Sequence, residues 1–136
     1  MKVKYEDTTE YEVYQYVKDS ASDVFLREEL AFLDTDRQIS RAINGLISKG
    51  VLVKIGYGVY VRMRYSELMG SYYLPKGFIA LGREALTKLG IQWEISEAEQ
   101  AYNEGRSQQL PVSPPTRLFN RFRRKISYKG MELRFE

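Results

Sequence analysis

The 136-residue chain contains no cysteine and no histidine. The first absence excludes disulfides and thiolate metal sites. The second removes the commonest general base, the commonest transition-metal ligand and the usual physiological pH switch. A hydrolase built on a nucleophile and histidine pair is therefore excluded, and no cofactor or metal is called for. No apolar run approaches the roughly 20 residues that cross a bilayer, and the opening MKVKYEDTTE lacks the apolar stretch of a signal peptide. The expectation is a soluble, cytoplasmic protein with no membrane partner. Internal repeats and low-complexity tracts are absent from the sequence, and its length suits one domain or two small ones without covalent staples.

What is present is charge, unevenly placed. The net charge is +3, but residues 1–34 carry 4 basic and 9 acidic groups, 35–64 carry 6 and 1, 65–116 carry 4 and 6, and 117–136 carry 7 and 2. Positive charge gathered into two segments is the footprint of a polyanion binder, where an evenly basic chain would say less.

The first basic segment includes TDRQISRAINGLISKGVLVKIGYGVYVR, residues 35–62. Thr35 with Gln38 forms a capping box, and Asp36 adds negative charge beside the positive helix terminus. Ile39, Ala42, Ile43, Leu46 and Ile47 recur at helical spacing, leaving Arg37, Ser40, Arg41, Asn44 and Ser48 on the other face. Gly50 stops the helix. The following residues alternate with period two. A loop at 56–58 sets Ile55 opposite Val59, Val53 opposite Val61 and Val51 opposite Met63, with Leu52, Lys54, Tyr60 and Arg62 on the reverse side. Helix, glycine and hairpin together form the second half of a winged helix-turn-helix.

The remaining elements fit around it. Residues 1–7 read as a poorly ordered or short edge segment, and Thr9 with Glu12 caps a first helix over 10–19. Residues 23–26 form a short strand, and 27–33 a short helix with Leu30 and Leu33 inward, which completes the winged-helix order. The glycine- and proline-containing stretch 64–77 is read as a connection with one extended piece, and the domain boundary falls there. The fold class is thus α+β: a winged helix-turn-helix over 1–66 and a small α+β domain over 67–136. The second domain contains a helix over 77–90, a strand over 91–95 and a helix over 97–103 capped by Ser96 and Glu99. An extended stretch over 107–120 follows, broken by Pro111, Pro114 and Pro115, and the domain ends in a basic β-hairpin turning at Lys129 and Gly130.

The exposed helix face has the chemistry of a DNA reader. Arginine donates twice to guanine, asparagine both donates to and accepts from adenine, and a short serine permits close approach to the groove floor. The DNA-binding candidates are Arg37, Gln38, Ser40, Arg41 and Asn44 on the helix, with Lys54, Tyr57 and Arg62 on the hairpin. Arg117, Arg121, Arg123, Arg124 and Lys125 interleave with Leu118, Phe119 and Phe122, a pattern that suits phosphate contact with base stacking, and equally a charged sheet edge guarded against aggregation. Ser107, Gln108 and Gln109 serve either a partner or the backbone groups of the proline bend. Two other function classes stay open: a winged helix that binds only protein, and a metal-dependent nuclease. The second is disfavoured because Glu97 and Glu99 diverge on their helix and no glycine-rich phosphate cradle is present.

Two stretches carry a family likeness. DVFLREELAFLDTDRQISRAINGLISKGVLVKIGYGVYVR resembles the amino-terminal winged helix of AbiE-type antitoxins and related transcriptional regulators. SEAEQAYNEGRSQQLP, with Ala101, Asn103, Gly105, Ser107, Gln109 and Pro111, is similar to the Ala-x-Asn and Ser-x-Gln-x-Pro signature of that group, and here too a basic hairpin follows. The likeness covers roughly residues 10 to 136. It implies a sequence-specific repressor of its own promoter, acting on inverted repeats in double-stranded DNA, and an antitoxin that counters a nucleotidyltransferase-like toxin.

Overall fold

The computed structural model describes residues 4–110 and 113–136; the readings made for residues 1–3 and for Pro111 lie outside them. The fold is a mixed α+β arrangement of four helices and small antiparallel sheets.

Helix α1, Thr9–Asp19, is capped by Thr8, whose side chain accepts from the Tyr11 N–H at 3.2 Å. The cap therefore falls one residue before the Thr9 predicted from sequence. Thr9 is otherwise engaged: its hydroxyl donates to Asp34 Oδ2 at 2.5 Å and ties the start of α1 to the entry of the next helix. Strand β1, Val24–Leu26, follows. The helix expected over 27–33 is only a 3-10 turn, Arg27–Leu30. Too few residues separate β1 from the extended cap at Thr35 to repay α-helix nucleation, and Leu30 alone supplies a fully buried anchor.

Helix α2, Asp36–Ser48, forms where the spacing predicts it, with Thr35 accepting from the Gln38 N–H at 3.3 Å. The reciprocal half of the box does not form, because the Thr35 N–H already donates to Asp34 Oδ1 at 2.6 Å. Ile39, Ala42, Ile43 and Leu46 are buried. Gly50 closes the helix at φ +84°, a conformation that disfavours any side chain, and Tyr72 packs where its Cβ would stand.

Strands β2, Leu52–Gly56, and β3, Val59–Arg62, make a hairpin that β1 joins in the order β1-β3-β2. Val53 pairs with Val61 as expected. Beyond Lys54 opposite Tyr60 a bulge intervenes, so Gly56 rather than Ile55 faces Val59 and the turn tightens to Tyr57 and Gly58.

The sheet is covered on both faces. One face sends Phe25, Leu52 and Tyr60 into a cluster with Val13 and Val17 of α1 and Ile39, Ile43 and Leu46 of α2. The other sends Val24, Leu26, Ile55, Val59 and Val61 into a second cluster with Phe78, Leu81, Ala85 and Leu86, and with Ile126 and Leu133 near the C-terminus. Residues on either side of position 66 thus share one apolar cluster. The reverse side of the hairpin, which carries Leu52, Lys54, Tyr60 and Arg62, is the one on which α1 and α2 sit.

Strands β4, Arg64–Ser66, and β5, Ser71–Tyr73, form a separate two-stranded ribbon where sequence predicted one extended piece. Helix α3, Phe78–Lys88, then packs beneath the sheet. Strand β6, Trp93–Ile95, pairs with β7, Thr116–Leu118, and helix α4, Glu97–Asn103, lies between them in sequence. Arg83 of α3 is buried and makes a bidentate pair with Glu99 at 2.9 and 2.7 Å, while its Nε donates to Thr116 Oγ1 at 2.9 Å. That one side chain links α3, α4 and β7, which explains why a buried charge is tolerated. Strands β8, Ser127–Tyr128, and β9, Met131–Glu132, turn at Lys129 and Gly130, both with positive φ. No helix among the described residues is long and apolar enough to cross a membrane.

Candidate nucleic-acid interface

Because Ile39, Ala42, Ile43 and Leu46 face the core, helical geometry turns Arg37, Gln38, Ser40, Arg41 and Asn44 outward, and all five are exposed. Among the described residues the side chains of Arg37, Arg41 and Asn44 have no hydrogen-bond or ion-pair partner, so their donors and acceptors are open to a ligand. Ser40 is partly engaged, accepting from Arg27 Nη2 at 3.3 Å.

Arg27 had no place among the sequence candidates, yet it joins the parts of this surface. Its backbone N–H donates to the carbonyl of Gly58, at the tip of the β2–β3 hairpin, at 2.8 Å. Its guanidinium donates to the Asp36 carbonyl at 2.8 Å and to Asp36 Oδ1 at 2.5 Å. The hairpin tip is therefore fixed against the start of α2, and part of the negative charge of Asp36 is neutralised. At the tip, Tyr57 is 77 % exposed, and Lys54 is exposed with its ammonium 6.0 Å from the Tyr57 ring centre.

Arg62 does not belong to this surface, which corrects its reading as a phosphate contact. It donates to Asp23 Oδ1 at 2.7 and 3.2 Å and to the carbonyls of Val17 and Ser20 at 2.6 and 3.0 Å. A cation there sits at the negative C-terminal end of α1, adding a second donor to the Val17 carbonyl, which also accepts from the Ser20 N–H at 3.4 Å. The arginine is held inside the fold by the same sheet face that receives the helices.

The second basic segment divides. Arg117 lies on β7, where the register sets it opposite Glu94; it pairs with that carboxylate at 3.0 Å and with Glu136 at 3.5 Å, so its charge is compensated. Lys125 is exposed, with Glu132 3.9 Å away. Arg121 and Arg123 are exposed with no ion pair among the described residues. Arg124 Nη1 donates to the Tyr57 carbonyl at 3.3 Å, and the carbonyl of Lys125 lies against Gly56. Residues 121–125 are thereby brought beside the hairpin tip from 67 positions away in sequence, a contact without any local signal. Contacts run from Asp36 and Ser40 of α2 through Arg27 to the Gly58 carbonyl, and from the neighbouring Tyr57 carbonyl to Arg124, beside the open Arg37 and Arg41.

Two acidic groups frame α2. Burial acts to raise the Glu10 carboxyl, but hydrogen bonds from Lys49 and Tyr5 outweigh it and hold the group below the ordinary glutamate range. The pairing removes Lys49 from the set of free cations, and Gly45 leaves the room that Glu10 occupies. Hydrogen bonds from the Thr9 hydroxyl and the Thr35 N–H hold Asp34 below its ordinary value. Ser107, Gln108 and Gln109 lie apart from the basic surface in the loop after α4; the Gln109 N–H donates to Ser107 Oγ at 3.2 Å, a local turn bond. Comparison with protein-family models, with curated proteins and with solved structures returns no match.

Proposed function

We propose that the protein is a sequence-specific double-stranded-DNA-binding regulator whose first half acts as a winged helix-turn-helix. In this reading α2 enters the major groove, with Arg41 and Asn44 reading base edges and Arg37, Gln38 and Ser40 assisting. The β2–β3 hairpin is the wing. Lys54 holds a phosphate, Tyr57 lies against the sugar-phosphate backbone, and Arg121, Arg123 and Arg124 extend the phosphate track beside the wing. The observation that carries the reading is the open Arg37, Arg41 and Asn44 face, joined through Arg27 to a hairpin tip that meets Arg124.

The antitoxin role, with repression of its own promoter and a nucleotidyltransferase-like toxin as partner, rests on the family likeness of residues 10 to 136. The metal-dependent nuclease alternative needs converging ligands, and among the described residues no group of three or more carboxylates comes together. Titration of a labelled duplex from upstream of its own gene, against a scrambled duplex of equal length, tests the proposal. Tighter binding to the upstream duplex that weakens with salt supports it; equal binding to both, or none, overturns sequence-specific DNA recognition and leaves the protein-interaction reading.

A further inference from the structure

The β4–β5 ribbon is not used by the DNA reading. Its two strands pair only with each other, and a two-stranded ribbon by itself is marginally stable in water. Tyr65 and Tyr72 share one face with ring centres 5.0 Å apart, and Tyr72 seats that face on Gly50. The tip has no such seat, and even on the seated face Tyr65 stays 54 % and Tyr72 39 % exposed. Leu68 is 97 % exposed and Met69 63 %, with Tyr73 at 39 %. Large apolar side chains concentrated in one short hairpin mark an interaction surface.

The charges on the ribbon indicate what covers it. Arg64 stands at the base and Glu67 at the tip, both exposed and neither in an ion pair among the described residues. At about 3.3 Å per residue the two lie some 10 Å apart along the ribbon. We propose that the ribbon is the self-association surface of the chain, packing against the same ribbon of a second copy about a two-fold axis. An antiparallel arrangement sets the tip of each ribbon beside the base of the other. It brings Glu67 of each copy toward Arg64 of its mate, twice over, and covers Leu68 and Met69 with the apolar flank around Tyr73. A parallel arrangement sets Glu67 against Glu67. A two-fold contact needs only one self-complementary patch, which is what this hairpin carries. The patch is small, so the dimer is weak, with dissociation in the micromolar range or above.

Sedimentation of the full chain from about 1 μM to about 1 mM tests this, with the far-ultraviolet spectrum and thermal midpoint as checks on folding. The wild type is expected to pass reversibly from monomer to dimer. Leu68→Ser, at a side chain too exposed to matter for folding, should weaken the dimer about tenfold or more, because each copy loses an apolar contact. Arg64→Glu should weaken it to a similar extent, about tenfold, by turning two attractions into two repulsions. The double exchange Arg64→Glu with Glu67→Arg should restore association to within about threefold of the wild type, an effect that generic stickiness cannot give. A monomer at every concentration overturns the proposal. So does a dimer indifferent to Leu68→Ser, or a double exchange that stays as weak as Arg64→Glu.

Discussion

Replacing Arg121, Arg123 and Arg124 together by glutamine tests whether the C-terminal segment works with the hairpin tip beside which it lies. Suppose Arg37 and Arg41 are directed to bases. The phosphate-facing cations are then Lys54 and these three arginines, and each neutralised phosphate contributes about −0.9 to the slope of log affinity against log salt. The wild type should therefore show a slope of about −3.6, and raising salt fourfold should weaken binding about 150-fold. With Lys54 alone remaining the slope falls to about −0.9 and the same salt step costs only about 3.5-fold. Fluorescence anisotropy with a random duplex at several salt concentrations reads this directly, since phosphate contacts are indifferent to sequence. The unfolding midpoint should barely move, because exposed charges contribute little to stability, and the one hydrogen bond at stake, Arg124 to the Tyr57 carbonyl, is exposed at 3.3 Å. An unchanged slope in the triple variant would remove these arginines from the phosphate track and leave residues 121–125 as a solvated edge.

Leu46 is 1 % exposed at the centre of the cluster joining α1, α2 and the sheet, so Leu46→Ala should cost about 2–5 kcal/mol in chemical denaturation. Asn44→Ala, on the exposed face, should stay within about 0.5 kcal/mol. Arg62→Ala should destabilise by roughly 1–3 kcal/mol, since it leaves Asp23 only the longer contact to Lys76 at 3.8 Å and takes a donor from the Val17 and Ser20 carbonyls, while leaving the salt slope of DNA binding unchanged; a changed slope would return Arg62 to the interface. Asp34, held below its ordinary value, binds a proton less readily folded than unfolded. Its stabilisation is complete above the unfolded aspartate range and is lost as pH falls through the lower folded value. Glu10 is lowered in the same direction, so Asp34→Asn should flatten, without abolishing, the fall in thermal midpoint on acidification. An acid limb identical to that of the wild type would mean that Asp34 does not contribute to it.

Much of the fold was legible because it is written locally. The Thr35 cap, the apolar stripe from Ile39 to Leu46 and the stop at Gly50 lie within one turn of the groups they act on, and α2 forms accordingly. The type of α3 and α4, and the turn at Lys129 and Gly130, were readable for the same reason. Period-two alternation sorted the hairpin residues into two faces but could not say what covers each. Alternation alone therefore turns Arg62 outward and leaves Leu52 and Tyr60 out of the core, although Arg62 reaches the Val17 and Ser20 carbonyls at the end of α1. The cap at Thr8 was missed because Thr9 offered the same chemistry, and only Asp34, 25 residues on, decides between them. Arg27 and Arg124 owe their places to tertiary contacts. Composition marked 117–136 as basic, but only the pairing of Arg117 with Glu94 and Glu136 separates the compensated charge from the open ones.

The proposed function rests on the outward face of α2 reading sequence. Its most direct test is the affinity of wild type and Arg41→Ala for the upstream duplex and for a scrambled duplex at one salt concentration. Arg41→Ala is expected to weaken the upstream complex by about 5- to 150-fold, the roughly 1–3 kcal/mol of one bidentate base contact, and to leave the scrambled complex nearly unchanged. Equal losses on the two duplexes would make Arg41 a phosphate contact and contradict the assignment of α2 as the reading helix.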